Sequence, residues 1–341
     1  MKHDEYDVTI VGGGPAGLSA ALILARCRRR VLLIDSGQGR NRAAAGLHGF
    51  LTRDGVRPEF LRSVGRSELK RYGVATVDGE VAHAERRRDG TFLVRYARRG
   101  KGVSTDLGGA GGASCEEEGN FCATSRRLLL ATGVRDLLPE IEGIGDFYGI
   151  SVHHCPYCDG WEHRDGRLVA YGPGNAAVGL GLALRCWSAD VTACTAGVTP
   201  DKEMLEQARA QSIRVIEHEI VRLEGEDGRL EEVVLAGGGV LRCDALFFNT
   251  GQVQRSPLPR LLGCSFKDDG GVWTDDRQCT GVPGLYLAGD ADKEVQFVVV
   301  AAAEGATAAV AINRSLQDEE AQRAGGGTGR ARGGLLTTGL R

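Results

Sequence analysis

The chain lacks any apolar run long enough to cross a membrane; nothing in its 341 residues reaches the roughly 18 uncharged apolar residues that a span requires. Residues 1–6 are polar and pass straight into an apolar strand, without the apolar core of a secretion signal. The cytoplasm is therefore the expected compartment, with no membrane partner. A dominant charge is also missing. The formal charge is −3, so there is no basic field to attract nucleic acid. The arginine runs at 28–30 and 86–88 read as solvated faces or strand edges.

Ten cysteines are present, but their spacing is not that of a disulfide scaffold. Cys27, Cys186, Cys194, Cys243, Cys264 and Cys279 stand alone among apolar or small neighbours and read as packing residues. Two pairs are close in sequence, Cys155 with Cys158 and Cys115 with Cys122.

Two stretches repeat one plan of strand, glycine turn and helix. The first is Asp7-Val-Thr-Ile-Val, the turn Gly12-Gly-Gly-Pro-Ala-Gly17 and the helix 18–26, followed by a strand at 31–34 that ends in Asp35. This is a complete βαβ unit of the dinucleotide fold. The second is Arg167-Leu-Val-Ala-Tyr, the turn Gly172-Pro-Gly-Asn-Ala-Ala177, a helix over 178–186 and a strand over 190–194. Matching strand–Thr–Gly turns at Ala131-Thr132-Gly133 and Asn249-Thr-Gly251 bracket the second unit. The expected fold is α/β, with two Rossmann-like dinucleotide-binding domains of three ββα layers, the second inserted in the first. Its division is 1–135 and 251–317 for the first domain and 136–250 for the insert, with 318–341 a disordered tail rich in Gly and Arg. The stretch 102–125, rich in Gly and acid, is expected to be an exposed loop carrying Cys115 and Cys122; a metal or regulatory disulfide there is the minor alternative.

In the first turn Gly12 permits the tight bend, Gly14 lets backbone approach a pyrophosphate, and Gly17 lets the helix pack on the strand. The helix amino terminus, with Pro15 and Ala16, offers N–H groups to phosphates. Asp35 stands about twenty residues on, where a carboxylate can accept from ribose hydroxyls. Leu285-Tyr-Leu-Ala-Gly289-Asp290, then Gln296, is a strand ending in a Gly-Asp turn suited to a sugar-like hydroxyl such as one on ribityl. Together these point to FAD.

His153-His154-Cys155-Pro-Tyr-Cys158-Asp159-Gly160 carries the redox spacing Cys-x-x-Cys. Two thiols so placed can close a small disulfide ring, and one can be held as a nucleophilic thiolate. The competing reading is half of a zinc site, with His153 or His154 as further ligands. No second Cys-x-x-Cys completes such a site, so redox is preferred and no metal is expected. Asp159 and His154 are the candidate proton carriers, because thiol–disulfide exchange moves a proton at each step.

With these motifs in order across 7–316, the sequence resembles the low-molecular-weight thioredoxin reductases among the FAD-dependent pyridine nucleotide-disulfide oxidoreductases. The motifs are Gly12-Gly-Gly-Pro-Ala-Gly17, Ala131-Thr132-Gly133, Cys155-Pro-Tyr-Cys158-Asp159-Gly160, Gly172-Pro-Gly174-Asn175 with Ala176, and Gly289-Asp290. The resemblance implies a homodimer whose domains rotate to present the flavin alternately to nicotinamide and dithiol. It also implies Cys158 against the flavin ring, Cys155 free to attack a partner and Asp159 as acid–base. Where NADPH-using members carry a His-Arg-Arg cluster, this chain has Thr195-Ala-Gly197 and no strand-end acid for NADH, which leaves NADPH, NADH or neither open. A branch of the family oxidises dithiols with molecular oxygen, closing disulfides in compounds such as gliotoxin and holomycin. Asp35-Ser36-Gly-x-x-Arg40-Asn41, the stretch 131–143 and the histidine before Cys155 are similar to that branch. Three functions follow: a disulfide reductase acting on thioredoxin or a small disulfide, an oxygen-dependent dithiol oxidase, and a non-catalytic redox sensor.

Overall fold

A computed structural model describes residues 5–99 and 120–325. The first unit is β1 (Glu5–Val11), α1 (Pro15–Arg26) and β2 (Val31–Asp35). Val8 and Ile10 of β1 and the whole of β2 are buried, the near-continuous burial a parallel strand covered on both faces must have. After α2 (Pro58–Lys70) come the longer strands β3 (Ala75–Arg86), β4 (Phe92–Arg98) and β5 (Asn120–Leu130). Parallel pairs β1–β2, β2–β3 and β1–β5 and antiparallel pairs β3–β4 and β4–β5 return the ladder to its start.

The chain then leaves this sheet through β6 (Val134–Asp136), α3 (Ile144–Phe147), β7 (Val152–His153) and α4 (Pro156–Asp159). The second unit is β8 (Leu168–Tyr171), α5 (Asn175–Leu184) and β9 (Val191–Cys194), continued by α6 (Lys202–Ala210) and β10 (Arg214–Ile216). An antiparallel trio, β11 (Ile220–Glu226), β12 (Arg229–Leu235) and β13 (Val240–Arg242), precedes β14 (Ala245–Phe248) and β15 (Gln252–Gln254). Strands β10, β9, β8, β14 and β7 form one parallel sheet in that order. After α7 (Leu258–Leu261), the strand β16 (Leu285–Leu287) pairs with the carboxyl half of β5, and α8 (Val298–Gly325) closes the fold. One dinucleotide fold is thus inserted in another. The two connecting strands, β6 and β15, pair antiparallel with Gln252 opposite Asp136.

Helix α8 lies against α1 because its inner face is small: Ala301, Gly305, Ala308 and Ala309 are buried there. A Cβ added at Gly305 would stand 2.0 Å from the Ala16 carbonyl oxygen.

Two sequence expectations need correction. Residues 120–125 are not loop: Cys122 sits in β5 opposite Arg95, where alternation of apolar and polar side chains fits a sheet edge-to-edge with β4. Cys115 and the rest of that insertion to residue 119 lie outside the described residues. The tail does not begin at 318 either. Helix α8 runs to Gly325, held by Glu319 and Glu320, which form ion pairs with Arg126, Arg127 and Arg29. Residues 326–341 lie outside the described residues. Among the described residues no helix is long and apolar enough to cross a membrane.

Candidate functional site

The first glycine turn opens onto a long cavity. Gly12 has φ +112°, and a Cβ there would meet the Ala131 carbonyl oxygen at 2.1 Å, so the turn and the Ala131-Thr132-Gly133 segment touch through backbone alone. Gly17 similarly stands too close to the Gly12 carbonyl oxygen, 1.9 Å, for any Cβ. Gly14, by contrast, faces open space within the cavity wall and caps α1, with Pro15 in its first turn. Ala16, Asp35, Ser36, Arg40, Asn41, Gly289, Asp290 and Gln296 line the same cavity. Of the residues expected in this site, Gly17 alone stands behind the wall.

The cavity suits a dinucleotide with hydroxyls and phosphates along its length. The Thr132 hydroxyl and the Arg62 Nε–H are buried without a hydrogen-bond partner, and both residues line it. Donors left unmade in a buried place cost stability unless a ligand accepts from them. These orphaned donors, the open face at Gly14 and the helix amino terminus fit the oxygen-rich spine of FAD.

Arg40 organises one end. Its guanidinium donates to both Asp136 oxygens, at 2.6 and 2.8 Å, to Asp290 at 2.9 Å and to the Gln296 amide oxygen at 2.8 Å. Gln296 and Gln252 exchange amide hydrogen bonds of 2.9 Å each. Burial by itself would raise the Asp136 carboxyl, but the Arg40 hydrogen bonds and the nearby His154 hold it below the usual carboxylate range. Arg40 in turn ties the long loop after β2 to β6 and to the strand-end turn after β16. Sequence reasoning placed Arg40 in the site, met Asp136 only within the 131–143 resemblance, and missed Gln252, whose short strand carries no motif.

Cys155 and Cys158 are joined as a disulfide, with Cα atoms 5.3 Å apart across the first turn of α4. Cys158 and Asp159 line the cavity and Cys155 stands outside it. His154 also lines it, its Nδ1 3.8 Å from an Asp136 oxygen. Burial lowers the His154 pKa, opposed by the attraction of Asp136. His153 lines the cavity as well, with Nδ1 3.4 Å from Asp159 and Nε2 2.9 Å from His163 Nε2. His48 lies between Asp54, at 3.7 Å, and Glu162, at 3.5 Å, on the same cavity. Neither His48 nor His163 sits in a spacing that sequence reasoning could have singled out. Among the described residues no group of three or more His, Cys, Asp or Glu could hold a metal ion.

The second glycine turn is not part of this cavity: Gly172, Gly174, Asn175 and Ala176 lie apart from it at the start of α5. Val198 leans over Gly174, whose added Cβ would meet Val198 Cγ1 at 3.0 Å. Asn175 is tied to Asp201 in both directions, by its amide N–H at 2.5 Å and by its oxygen accepting from the Asp201 N–H at 2.9 Å. Glu217 accepts from the Thr199 hydroxyl at 3.0 Å. Thr195 is buried at the strand end, and Glu219 faces Gly197. The surroundings of this turn are therefore acidic and partly covered.

A family model described as pyridine nucleotide-disulphide oxidoreductase matches residues 6–305. The "Thioredoxin reductase tcpT" of Claviceps purpurea is 31% identical over 294 residues, covering 83% of this chain and 86% of that protein. The "Probable thioredoxin reductase" of Arthroderma benhamiae is 37% identical over 169 residues, 49% of this chain, and the match spans only 38% of that protein's length. Among solved structures, HlmI superposes with a TM-score of 0.84 at 36% identity, covering 94% of this chain and 96% of that one.

Proposed function

The chain belongs to the pyridine nucleotide-disulphide oxidoreductase family, and from that premise we propose that it passes electrons between FAD and an external thiol or disulfide through Cys155 and Cys158. It is an enzyme of the thioredoxin reductase-like kind. The observation that carries the finer reading is the disulfide itself: Cys158 and Asp159 line the cavity that fits FAD, while Cys155 stands on its outer side. The domain division taken with it is 1–135 and 251–317 around 136–250, in a homodimer.

In the dithiol-oxidising direction, a thiolate of the external dithiol attacks Cys155 Sγ. The Cys155–Cys158 bond breaks, and Cys158 leaves as a thiolate next to the cavity. The second external thiol then attacks the mixed disulfide, so the substrate departs as a disulfide and Cys155 is released. Each attack frees one thiol proton, which Asp159 is placed to take. His154, kept largely neutral by burial, supports the Asp136 end of the Arg40 clamp. FAD, when bound, supplies the acceptor or donor of the electron pair. The opposite direction uses the same residues in reverse.

A dithiol oxidase using molecular oxygen is the second reading, and the second glycine turn favours it. A nicotinamide dinucleotide would bring phosphates to a turn flanked by Val198 at Gly174 and tied to Asp201, with Glu217 and Glu219 near the strand end. Phosphate recognition calls for the opposite charge. In the first reading the donor is NADPH or NADH and the partner a thioredoxin-like protein or small disulfide.

Anaerobic titration of the yellow protein with NADPH, NADH and a small dithiol separates these. Rapid bleaching by a nicotinamide assigns a reductase; bleaching by dithiol alone, reversed by air, assigns an oxidase. Cys155→Ser and Cys158→Ser are expected to keep FAD and to lose thiol–disulfide turnover by at least about a hundredfold. Full turnover in the double variant would remove the cysteine pair from the mechanism.

A further inference from the structure

Asp159 is half-buried beside the cysteines and sits near the buried His153. A carboxylate that takes a thiol proton in such a place needs somewhere to send it. Behind it stand further exchangeable groups. The His153 side chain is 5% exposed, with Nδ1 3.4 Å from an Asp159 oxygen and Nε2 2.9 Å from His163 Nε2. The Ile150 carbonyl oxygen lies 3.1 Å from His153 Nε2, and the Phe247 ring packs against both imidazoles, at 5.4 Å and 6.2 Å between centroids. His163 is half-buried and faces Asp244, which is paired with Arg167 at the surface, both side chains 41% exposed.

We propose that His153 and His163 form a proton path joining Asp159 to the surface beside Asp244. The path rests on the reading of Asp159 as the acid–base of the cysteine pair and extends it through His153, on the cavity wall, to His163, which does not line the cavity.

The chemistry follows from the two nitrogens 2.9 Å apart. Two imidazole nitrogens at that distance must share one hydrogen, one donating and the other accepting. In one arrangement His153 carries its hydrogen on Nε2 and donates to His163, leaving Nδ1 free to accept from protonated Asp159. Asp159 then gives its proton to His153 Nδ1, His153 gives its Nε2 proton to His163 Nε2, and His163 releases its Nδ1 proton outward. One proton has moved from Asp159 to solvent, and each imidazole has ended neutral with its hydrogen on the other nitrogen. Inward passage restores the first arrangement, so the line carries one outward proton for each inward one. The line thus serves both directions of the thiol chemistry. Burial, with the neighbouring His153, pushes the His163 pKa down to about 4, so at neutral pH His163 is a neutral carrier rather than a fixed charge. The charged or titratable groups facing the pair are Asp159, His154 and Asp244, with Arg167 held by Asp244.

The test uses the FAD-loaded protein, a small dithiol and anaerobic stopped flow across pH 6–9. In His163→Phe, the rate of flavin bleaching by dithiol is expected to fall about tenfold or more with half-saturation unchanged, and added imidazole is expected to restore it. His153→Leu should behave the same way, with a steeper rise of rate with pH than the wild type. Independently of turnover, nitrogen-15 histidine labelling should show an N–N coupling across the shared hydrogen that vanishes in His163→Phe. Wild-type rates and pH profile in both variants, or no coupling in the wild type, would overturn the path. Failure of dithiol to bleach the wild type would instead sink the thiol–disulfide function on which it rests.

Discussion

Glu304 shows how a single buried acid can set a pH response. Its carboxylate accepts from the Gly289 N–H at 2.6 Å, on the strand-end turn that faces the cavity. Burial first, and then repulsion from Asp292 and other acids, push its pKa up to about 7. The folded state therefore keeps a proton that the unfolded chain, with a carboxyl near 4.5, releases. Between pH 4.5 and 7 the folded protein binds the extra proton, so stability falls as pH rises through that window. The effect is on the order of 1–2 kcal/mol, after discounting for solvent screening. His163 acts with the opposite sign: its folded pKa is depressed to about 4, so its contribution is lost as pH falls below about 6.5. Glu304→Gln keeps an oxygen for Gly289 and should flatten the fall in Tm between pH 5 and 8 of the FAD-free protein, moving its optimum upward. An unchanged pH–Tm curve in the variant would remove Glu304 as the cause.

Among the elements, the α1–α8 contact is sensitive to a small change. The approach depends on Gly305, where an added Cβ would stand 2.0 Å from the Ala16 carbonyl oxygen. Ala16 is also the neighbour of Gly289, at 3.1 Å from its added Cβ. Overpacking at a helix crossing of this kind costs about 1–3 kcal/mol. Gly305→Ala, a better helix former in isolation, should nonetheless lower the urea midpoint and weaken FAD retention together. A gain in stability would mean that α8 shifts freely, and that α1 is not positioned by it. The short strands β6 and β15 carry a different duty. They pair across the two connections between the folds and bring Asp136 and Gln252 to the Arg40 and Gln296 side chains.

For the whole molecule, the cavity is assembled from three broad lengths of chain, within 11–81, 131–159 and 255–301. A ligand that holds all three stabilises the folded state by mass action. FAD at a hundred times its Kd should add about 2.7 kcal/mol and raise the Tm of the FAD-free protein as one cooperative shift. Two separate transitions, only one of them moved by FAD, would show that the two dinucleotide folds unfold independently; no shift at all would exclude FAD from the cavity.

Much of this was legible in the residues themselves. Glycine turns between apolar strands and small-residue helices have few alternative folds, because a Cβ at Gly12 or Gly17 collides with backbone. The Cys155-x-x-Cys158 spacing can close its ring within one helical turn. Such local signals determined the two dinucleotide folds, the insertion of one in the other, and the cysteine pair proposed to carry redox chemistry. The sequence misplaced the end of α8, because Gly- and Arg-rich composition past 326 masked a stretch whose acids find Arg29, Arg126 and Arg127 far away in the chain. It likewise took residues 120–125 for loop, since β5 begins before its apolar core. Only the tertiary structure could decide that Asp136, Gln252 and Arg40 converge, that His163 comes within hydrogen-bond reach of His153, and that Val198 and Asp201 flank the second turn. These are distances between side chains on different elements, set by packing, and no spacing along the chain encodes them.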